Sequence, residues 1–345
     1  MRIAQLVSNL YPTSADTSHG INMNAALLTD ALVARGHEVT LFASSDSETT
    51  AKLVSVSDGA TSKAKISDNM RRHLLNLLMH KCYAQADDFD IIHSHFTFSS
   101  SFFSNLVSTP TVHSIHSPFN DETVQMLNHF RNNNYISFSL AQRKQFAKLN
   151  WIANIYHGVD TKEYSFNGRP DKYFLYLGRV TKEKGVDLAI KAALEADVPL
   201  VIAGRSYPDD SYWHQEIEKH IDGKRIHYVG EARGEKKINL LQNAEGLLFP
   251  TQYNEAFGLV MIEAMACGTP VIAWNSGSVP EVIQEKETGF IVSSTKSMAK
   301  AIKNIGKISR AATRHRAETL FSIDKMVSSY EKVYARMIEK QRKKS

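Results

Sequence analysis

Asn254-Glu-Ala-Phe-Gly-Leu-Val-Met-Ile-Glu-Ala-Met-Ala-Cys-Gly-Thr-Pro270 sets one carboxylate, Glu255, just ahead of an apolar helical run and a second, Glu263, inside it. Gly258 lies near the start of the run, where a residue with no side chain lets the backbone come close to a ligand. A helix start presents unpaired N–H groups and a partial positive charge, and both favour phosphate. The second carboxylate follows about two turns further in, ~10–12 Å along the axis, where it can accept hydrogen bonds from a ribose diol. Taken alone, the spacing also fits a solvated helix face or the acid pair of a glycosidase.

Around this segment, short β-branched runs alternate with longer helical patterns, the mark of βαβ units and parallel sheets. In the first half the expected strands are Ile3–Val7, Val39–Ala43, Ile91–Ser94, Thr111–Ile115 and Trp151–Ile155. Helices are expected over Asn22–Arg35 and Asp68–Ala86, the first stopped by Gly36-His37. The polar, turn-rich stretch Ser165-Phe-Asn-Gly-Arg-Pro-Asp171 then interrupts the pattern. The alternation restarts with Tyr173–Leu177, Leu200–Ala203, Ile226–Val229, Gly246–Phe249, Val271–Ala273 and Phe290–Val292. This predicts an α/β chain of two Rossmann-like domains, 1–168 and 169–322, with a C-terminal helix and basic tail over 323–345 that returns to the first domain. In open sheets of this kind ligands bind beyond the carboxyl ends of the strands, here in the cleft between the halves.

The bulk properties bound the function without naming it. A length of 345 residues suggests two cores. The net charge of +5 argues only weakly for an anionic partner, and no nucleic acid is expected. Two cysteines, Cys82 and Cys267, are too few for a disulfide framework and suit a reducing compartment. No apolar run approaches the ~18 residues of a membrane span, and Met1–Val7 reads as a strand rather than a leader, so a cytoplasmic protein is expected.

A second segment carries charge to the same end of a sheet. Tyr173-Phe-Leu-Tyr-Leu-Gly-Arg-Val-Thr-Lys-Glu-Lys-Gly-Val-Asp187 reads as a strand ending at Gly178, a loop with Arg179 and Lys184, and a helix from about Gly185. A guanidinium fork and a mobile ammonium at a strand end suit a diphosphate.

Together these motifs resemble the GT-B glycosyltransferases of family four (group 1, retaining). The resemblance rests on Gly178-Arg179, Glu183-Lys184-Gly185, Tyr228-Val229-Gly230, Glu255-x7-Glu263 and Gly268-Thr-Pro270. The first half agrees more loosely, through Gly20, Arg35-Gly-His-Glu-Val-Thr-Leu-Phe42, Asp90-Ile-Ile-His-Ser-His95, Ser114-Ile-His116 and His157-Gly-Val-Asp160. The resemblance implies a retaining, metal-independent transfer from a nucleotide-diphospho-sugar (UDP-, GDP- or ADP-linked) to a small-molecule, glycan or lipid-linked acceptor. By position, Arg179 and Lys184 would hold the diphosphate and Glu263 the ribose. Glu255 would face the donor sugar, and the backbone of Phe257, Gly258, Leu259 and Val260 would touch sugar and phosphate. His116 would line the reaction centre from the first domain, Gly20 would lie in the donor-side loop, and backbone around Val229 would flank the base. Two rival readings share these motifs: a GT-B epimerase or phosphorylase, and a non-catalytic nucleotide-sugar binder.

Several features stand apart. Many such proteins carry paired glycines after the first strand, whereas this loop reads Asp16-Thr-Ser-His-Gly-Ile21, with His19 before a single Gly20. His93, His95, His113 and His116 sit on or near strand ends; cleft lining is the expectation, with a metal site as the rival. Asp88-Phe-Asp90 precedes a strand and reads as a surface turn rather than a metal motif. The stretch Lys63–Lys81 mixes basic residues with Leu and Met. It reads as an ordinary core-packing helix, with peripheral contact to anionic lipid as the alternative.

Overall fold

A computed structural model describes residues 1–17, 19–116, 119–207 and 211–343. The chain divides into two compact units, Met1–Gly158 with Ile323–Ser345, and Val159–Ser322. The second unit therefore begins at Val159, not at 169. The stretch Ser165–Asp171 reads as a boundary because it is polar and turn-rich, yet polar groups in and before it are held by the second unit. Asn167 donates to Asn243 Oδ1 at 2.9 Å, Arg310 Nε donates to Asn167 O at 2.6 Å, and Arg314 Nη2 donates to Thr161 O at 2.7 Å. Arginine on the helix Arg310–Leu320 satisfies carbonyls that sequence alone assigns to water.

The first unit holds seven parallel strands: β1 Arg2–Leu6, β2 Glu38–Phe42, β3 Lys52–Val54, β4 Ile91–Ser94, β5 Thr111–Ser114, β6 Asn134–Ser137 and β7 Trp151–Asn154, in the order β3-β2-β1-β4-β5-β6-β7. The second holds β8 Phe174–Leu177, β9 Leu200–Ala203, β10 Ile226–Tyr228, β11 Gly246–Phe249, β12 Val271–Trp274 and β13 Gly289–Val292, in the order β10-β9-β8-β11-β12-β13. Each order reverses beside the unit's first strand, between β1 and β4 and between β8 and β11. That is the switch point where loops diverge and leave room for a ligand. Strands β3 and β6 were absent from the sequence expectation. Asn134-Tyr-Ile-Ser137 follows an asparagine run and has little apolar signal, but it pairs on both sides, with β5 and β7.

The C-terminal helix, Ile323–Arg342, completes the first unit. It buries Met326, Val327, Tyr330, Val333, Tyr334 and Met337 in the cluster that contains Ile3, Leu28, Leu32, Val39, Ile91 and Val112. At ~1.5–3 kcal/mol per fully buried large side chain, these six contribute on the order of 10 kcal/mol, an upper estimate. An ion-pair group fixes the register. Arg35 meets Glu331 at 2.7 Å and Asp324 at 3.1 Å, and His37 meets the other oxygen of Glu331 at 2.9 Å. The helix over Asp68–Tyr83 buries Leu78, Met79, Cys82 and Tyr83 and exposes Met70 and Leu77. No helix among the described residues is long and apolar enough to cross a membrane.

Candidate functional site

In the second unit the loops after β8 and β11 leave adjacent strands at the switch point and interlock. Gln252 N donates to Glu183 O at 3.0 Å. Gly185, at φ +71°, packs so closely that a Cβ there would lie 2.4 Å from Pro250 O. Glycine is required at this position by contact as well as by conformation. Behind the loop, Tyr176 donates to Arg179 O at 2.8 Å, and burial pushes that phenol well above its ordinary range.

This docking brings Lys184 to Glu255. The ammonium lies 2.9 Å from each carboxylate oxygen and 5.0 Å from the centre of the Tyr253 ring. Burial pulls the Lys184 pKa down, but Glu255 and Tyr253 outweigh it and the net shift is upward. Lys184 is therefore a fixed positive charge, bound to the very carboxylate that sequence assigned to the sugar. Arg179 is exposed and makes no ion pair among the described residues.

Gly258 turns the chain into the helix Leu259–Ala266 at φ +82° and ψ 71°, with no side-chain cap. The N–H groups of Leu259 and Val260, in the first turn, have no intrahelical acceptor. The side chain of Phe257 is 2% exposed and meets Phe321 edge-on, so only its backbone is available to a ligand.

The loop after β12 braces this turn, a role that the sequence reading missed. Ser276 donates to Thr251 O at 2.9 Å, Gly277 N to Asn254 Oδ1 at 3.3 Å, and Ser278 to Phe257 O. Gly277 has φ +50°, and a Cβ there would lie 2.4 Å from Glu255 O. The available signal was Asn275-Ser-Gly-Ser278, a run of small residues directly after a strand.

Glu263 is 4% exposed. It accepts from Lys237 Nζ at 2.9 Å and from the Tyr164 hydroxyl at 3.2 Å. Burial and the adjacent Glu263 charge hold the Tyr164 phenol far above its usual range. Lys237 was not picked out from sequence, because Glu235-Lys-Lys237 looks like any solvated helix face. Val229 is held at both backbone groups: its N–H donates to Ile202 O at 3.0 Å and its carbonyl accepts from Lys236 at 2.8 Å.

In the first unit, Gly20 opens the helix Gly20–Ala34 with His19 at the N-cap. The His19 ring stacks on Tyr11 at 4.4 Å and lies 2.8 Å from Asn22 Oδ1. His116 joins a buried group: His95 Nδ1 is 3.0 Å from His116 Nε2, and His93 is bound by Ser114 and Tyr334. His113 lies 3.2 Å from Ser100 Oγ. Burial drives the pKa of His95, His113 and His157 down to about 3, and those of His93 and His116 well below 6.5. Among the described residues no group of three or more His, Cys, Asp or Glu is arranged to hold a metal ion. Asp90 binds the amide and guanidinium of Arg2, at 2.8 and 3.0 Å.

Known proteins align with both units. Residues 19–163 match the family described as Glycosyltransferase Family 4, and residues 161–319 match Glycosyl transferases group 1. An uncharacterized glycosyltransferase of Methanocaldococcus jannaschii is 26% identical over 250 residues, covering 60% of this chain and 63% of that protein. The aligned stretches span 24% to 63% of the length of the curated relatives compared. Sucrose-phosphate synthase from Thermosynechococcus elongatus has a TM-score of 0.80 at 20% identity, over 98% of this chain and 99% of that one. Anabaena HepE, in complex with UDP and glucose, has a TM-score of 0.73 at 17% identity, over 97% of this chain and all of that one (100%). With two parallel sheets in this topology, and with the two family matches falling one on each half, the chain belongs to the group 1 glycosyltransferases of the GT-B fold.

Proposed function

We propose that this chain is a retaining transferase that moves a sugar from a nucleotide-diphospho-sugar to an acceptor hydroxyl without a metal ion. The observation that carries the reading is that each glutamate of the 254–270 segment meets its own lysine on either side of one helix start. In this reading Glu263, oriented by Lys237 and Tyr164, accepts the ribose hydroxyls. Arg179, Lys184 and the N–H groups of Leu259 and Val260 take the diphosphate. Glu255 faces the sugar; His116, in the first unit, contacts substrate in this reading.

The bond from the anomeric carbon to the diphosphate oxygen breaks, and its electron pair leaves with the diphosphate. The acceptor oxygen bonds to the same face of that carbon, and its proton passes to the departing phosphate oxygen. Positive charge grows on the sugar beside Glu255, and negative charge grows beside Lys184 and the helix start. Charges already held in place at 2.9 Å need no reorganisation at that moment, and preorganised electrostatics of this kind is commonly the largest catalytic term. The complexes of Anabaena HepE with UDP and with UDP-glucose support a uridine nucleotide as the first donor to test. The expected setting is the cytoplasm.

The test is a thermal-shift comparison of UDP, GDP and ADP without magnesium, followed by turnover with the matching sugar donors and assignment of the product anomer. One nucleotide should stabilise the protein, and the anomeric configuration should be retained. Glu255→Gln and Arg179→Ala should each lower turnover by ~10²–10³-fold. Unchanged turnover in both variants overturns the site, and a strict magnesium requirement overturns the metal-free reading.

A further inference from the structure

Gln5 is a fully buried amide in the middle of β1, a position where an apolar residue would be expected in a sheet covered on both faces. Its two ends are both used. The amide nitrogen donates to the Tyr334 hydroxyl at 3.2 Å, and the amide oxygen lies 2.9 Å from His95 Nε2. The Tyr334 hydroxyl lies 2.7 Å from His93 Nδ1, and His93 Nε2 lies 2.8 Å from Ser114 Oγ. On the other arm, His95 Nδ1 lies 3.0 Å from His116 Nε2. These groups come from β1, β4, β5, the turns after β4 and β5, and the C-terminal helix.

We infer that Gln5, His95 and Tyr334 are positioning residues that hold His116 as a single tautomer, protonated on Nε2, so that Nδ1 is a fixed acceptor for a substrate hydroxyl. Donor and acceptor capacity sets the proton on each ring. An amide oxygen cannot donate, so the His95 Nε2 facing it carries the proton. A neutral imidazole has one N–H, so His95 Nδ1 holds only a lone pair. The His116 Nε2 facing that lone pair must then donate, which leaves His116 Nδ1 without a proton. In this amide orientation Tyr334 accepts from Gln5 and gives its own proton to His93 Nδ1, and His93 Nε2–H goes on to Ser114. Each link has one direction, and each donor finds one acceptor.

Two further observations fit a positioning role. The His116 ring lies tilted against Phe138 (4.5 Å between centroids) and stacked on His157 (5.7 Å), which restrains its plane. Burial keeps these imidazoles neutral at pH 7, so the count holds there. The opposite amide orientation would reverse every link and make His116 Nδ1 a donor. Tautomer choice through a second partner is how imidazoles are commonly set for function. The catalytic half of this inference rests on the proposed role of His116 above; the tautomer half does not.

The experiment is a 15N–13C NMR assignment of histidine tautomers in the whole protein, with the His116 signals among the 14 histidines identified by their loss in His116→Gln. Wild type should show His116 as the Nε2–H form alone. Gln5→Met, which keeps volume and removes both links, should show both tautomers. Its kcat should fall in proportion to the Nε2–H fraction lost, with donor KM unchanged. Gln5→Glu, which keeps an acceptor toward His95, should restore the single form. A wild-type signal of the Nδ1–H form, or a single unchanged form in Gln5→Met, overturns the inference. If the tautomers respond but turnover in Gln5→Met and His116→Gln matches wild type, the catalytic role of His116 is overturned and the positioning network stands.

Discussion

Replacing Lys237 with Met tests whether Glu263 is held for a ligand or merely buried. The two side chains are 19% and 5% exposed, and their charged atoms are 2.9 Å apart. Removing one partner of a fully buried ion pair costs ~3–5 kcal/mol, because the remaining charge is left in low dielectric. Here Tyr164 keeps one hydrogen bond to the same oxygen at 3.2 Å, worth ~1 kcal/mol, and Lys237 retains a solvent-facing edge. The expected loss is therefore about 2–3 kcal/mol. At ~2–4 °C per kcal/mol for a unit of this size, the transition of the second unit should fall by roughly 4–12 °C.

Calorimetry on three variants separates the alternatives. Lys237→Met should be destabilised as above, and Lys237→Arg should stay close to wild type. Lys237→Met with Glu263→Gln should regain much of the loss, since no charge is then left unpaired. The double variant should nevertheless lose nucleotide-induced stabilisation, because the ribose partner is gone. Equal melting of the single and double variants, or a full nucleotide shift in the double variant, refutes the reasoning.

Three other perturbations have defined outcomes. Gly277→Ala puts a Cβ 2.4 Å from Glu255 O at φ +50°; turnover should fall at least ~10-fold while the melting temperature drops by only a few degrees, and equal activity would remove the brace from the site. Truncation after Ser322 deletes a helix whose burial contributes on the order of 10 kcal/mol, comparable to a domain's whole stability; the first unit should lose its cooperative transition, and a retained one would refute the ledger. Acid should unfold the first unit. Its buried histidines titrate at about 3 when folded but near ~6.5 when unfolded. Below about pH 6.5 the unfolded chain binds protons that the folded unit refuses, so stability falls by ~1.4 kcal/mol per pH unit per histidine. These three, with His93 and His116 shifted the same way, should bring unfolding, followed by near-UV dichroism, between about pH 6 and 4; a folded first unit below about pH 4 would contradict the burial argument.

Much of this architecture is legible from sequence because parallel strands covered on both faces leave continuous apolar runs, as in Leu200–Ala203 and Gly246–Phe249. The residues that touch a ligand in the proposed reading are legible too, since phosphate and ribose demand particular chemistry at a strand end. Residues that act through others are not. Lys237 and Gln5 look like a surface charge and a stray polar residue until Glu263 and His95 are brought to them from distant parts of the chain. Ser165–Asp171 looked like a boundary for the same reason: an arginine that satisfies part of it lies far ahead, in the helix Arg310–Leu320. Register and long-range pairing decide these roles, and no local pattern reports them.

The charges around the helix start also shift weight from side chains to backbone. Arg179, Lys184 and Lys237 supply three positive charges, and Glu255 and Glu263 remove two, leaving a net of one. Lys184 and Lys237 are already committed to carboxylates at 2.9 Å, so the uncommitted positive charge is that of Arg179. A nucleotide-diphospho-sugar is doubly negative. Part of the difference comes from the uncapped first turn of Leu259–Ala266, whose N–H groups carry about half a charge. N–H groups in contact with the diphosphate act well inside the ~8–10 Å screening length. Donor affinity should therefore weaken only modestly as ionic strength rises. A steep, multi-charge salt dependence would instead mean that exposed cations beyond Arg179 take part in the binding.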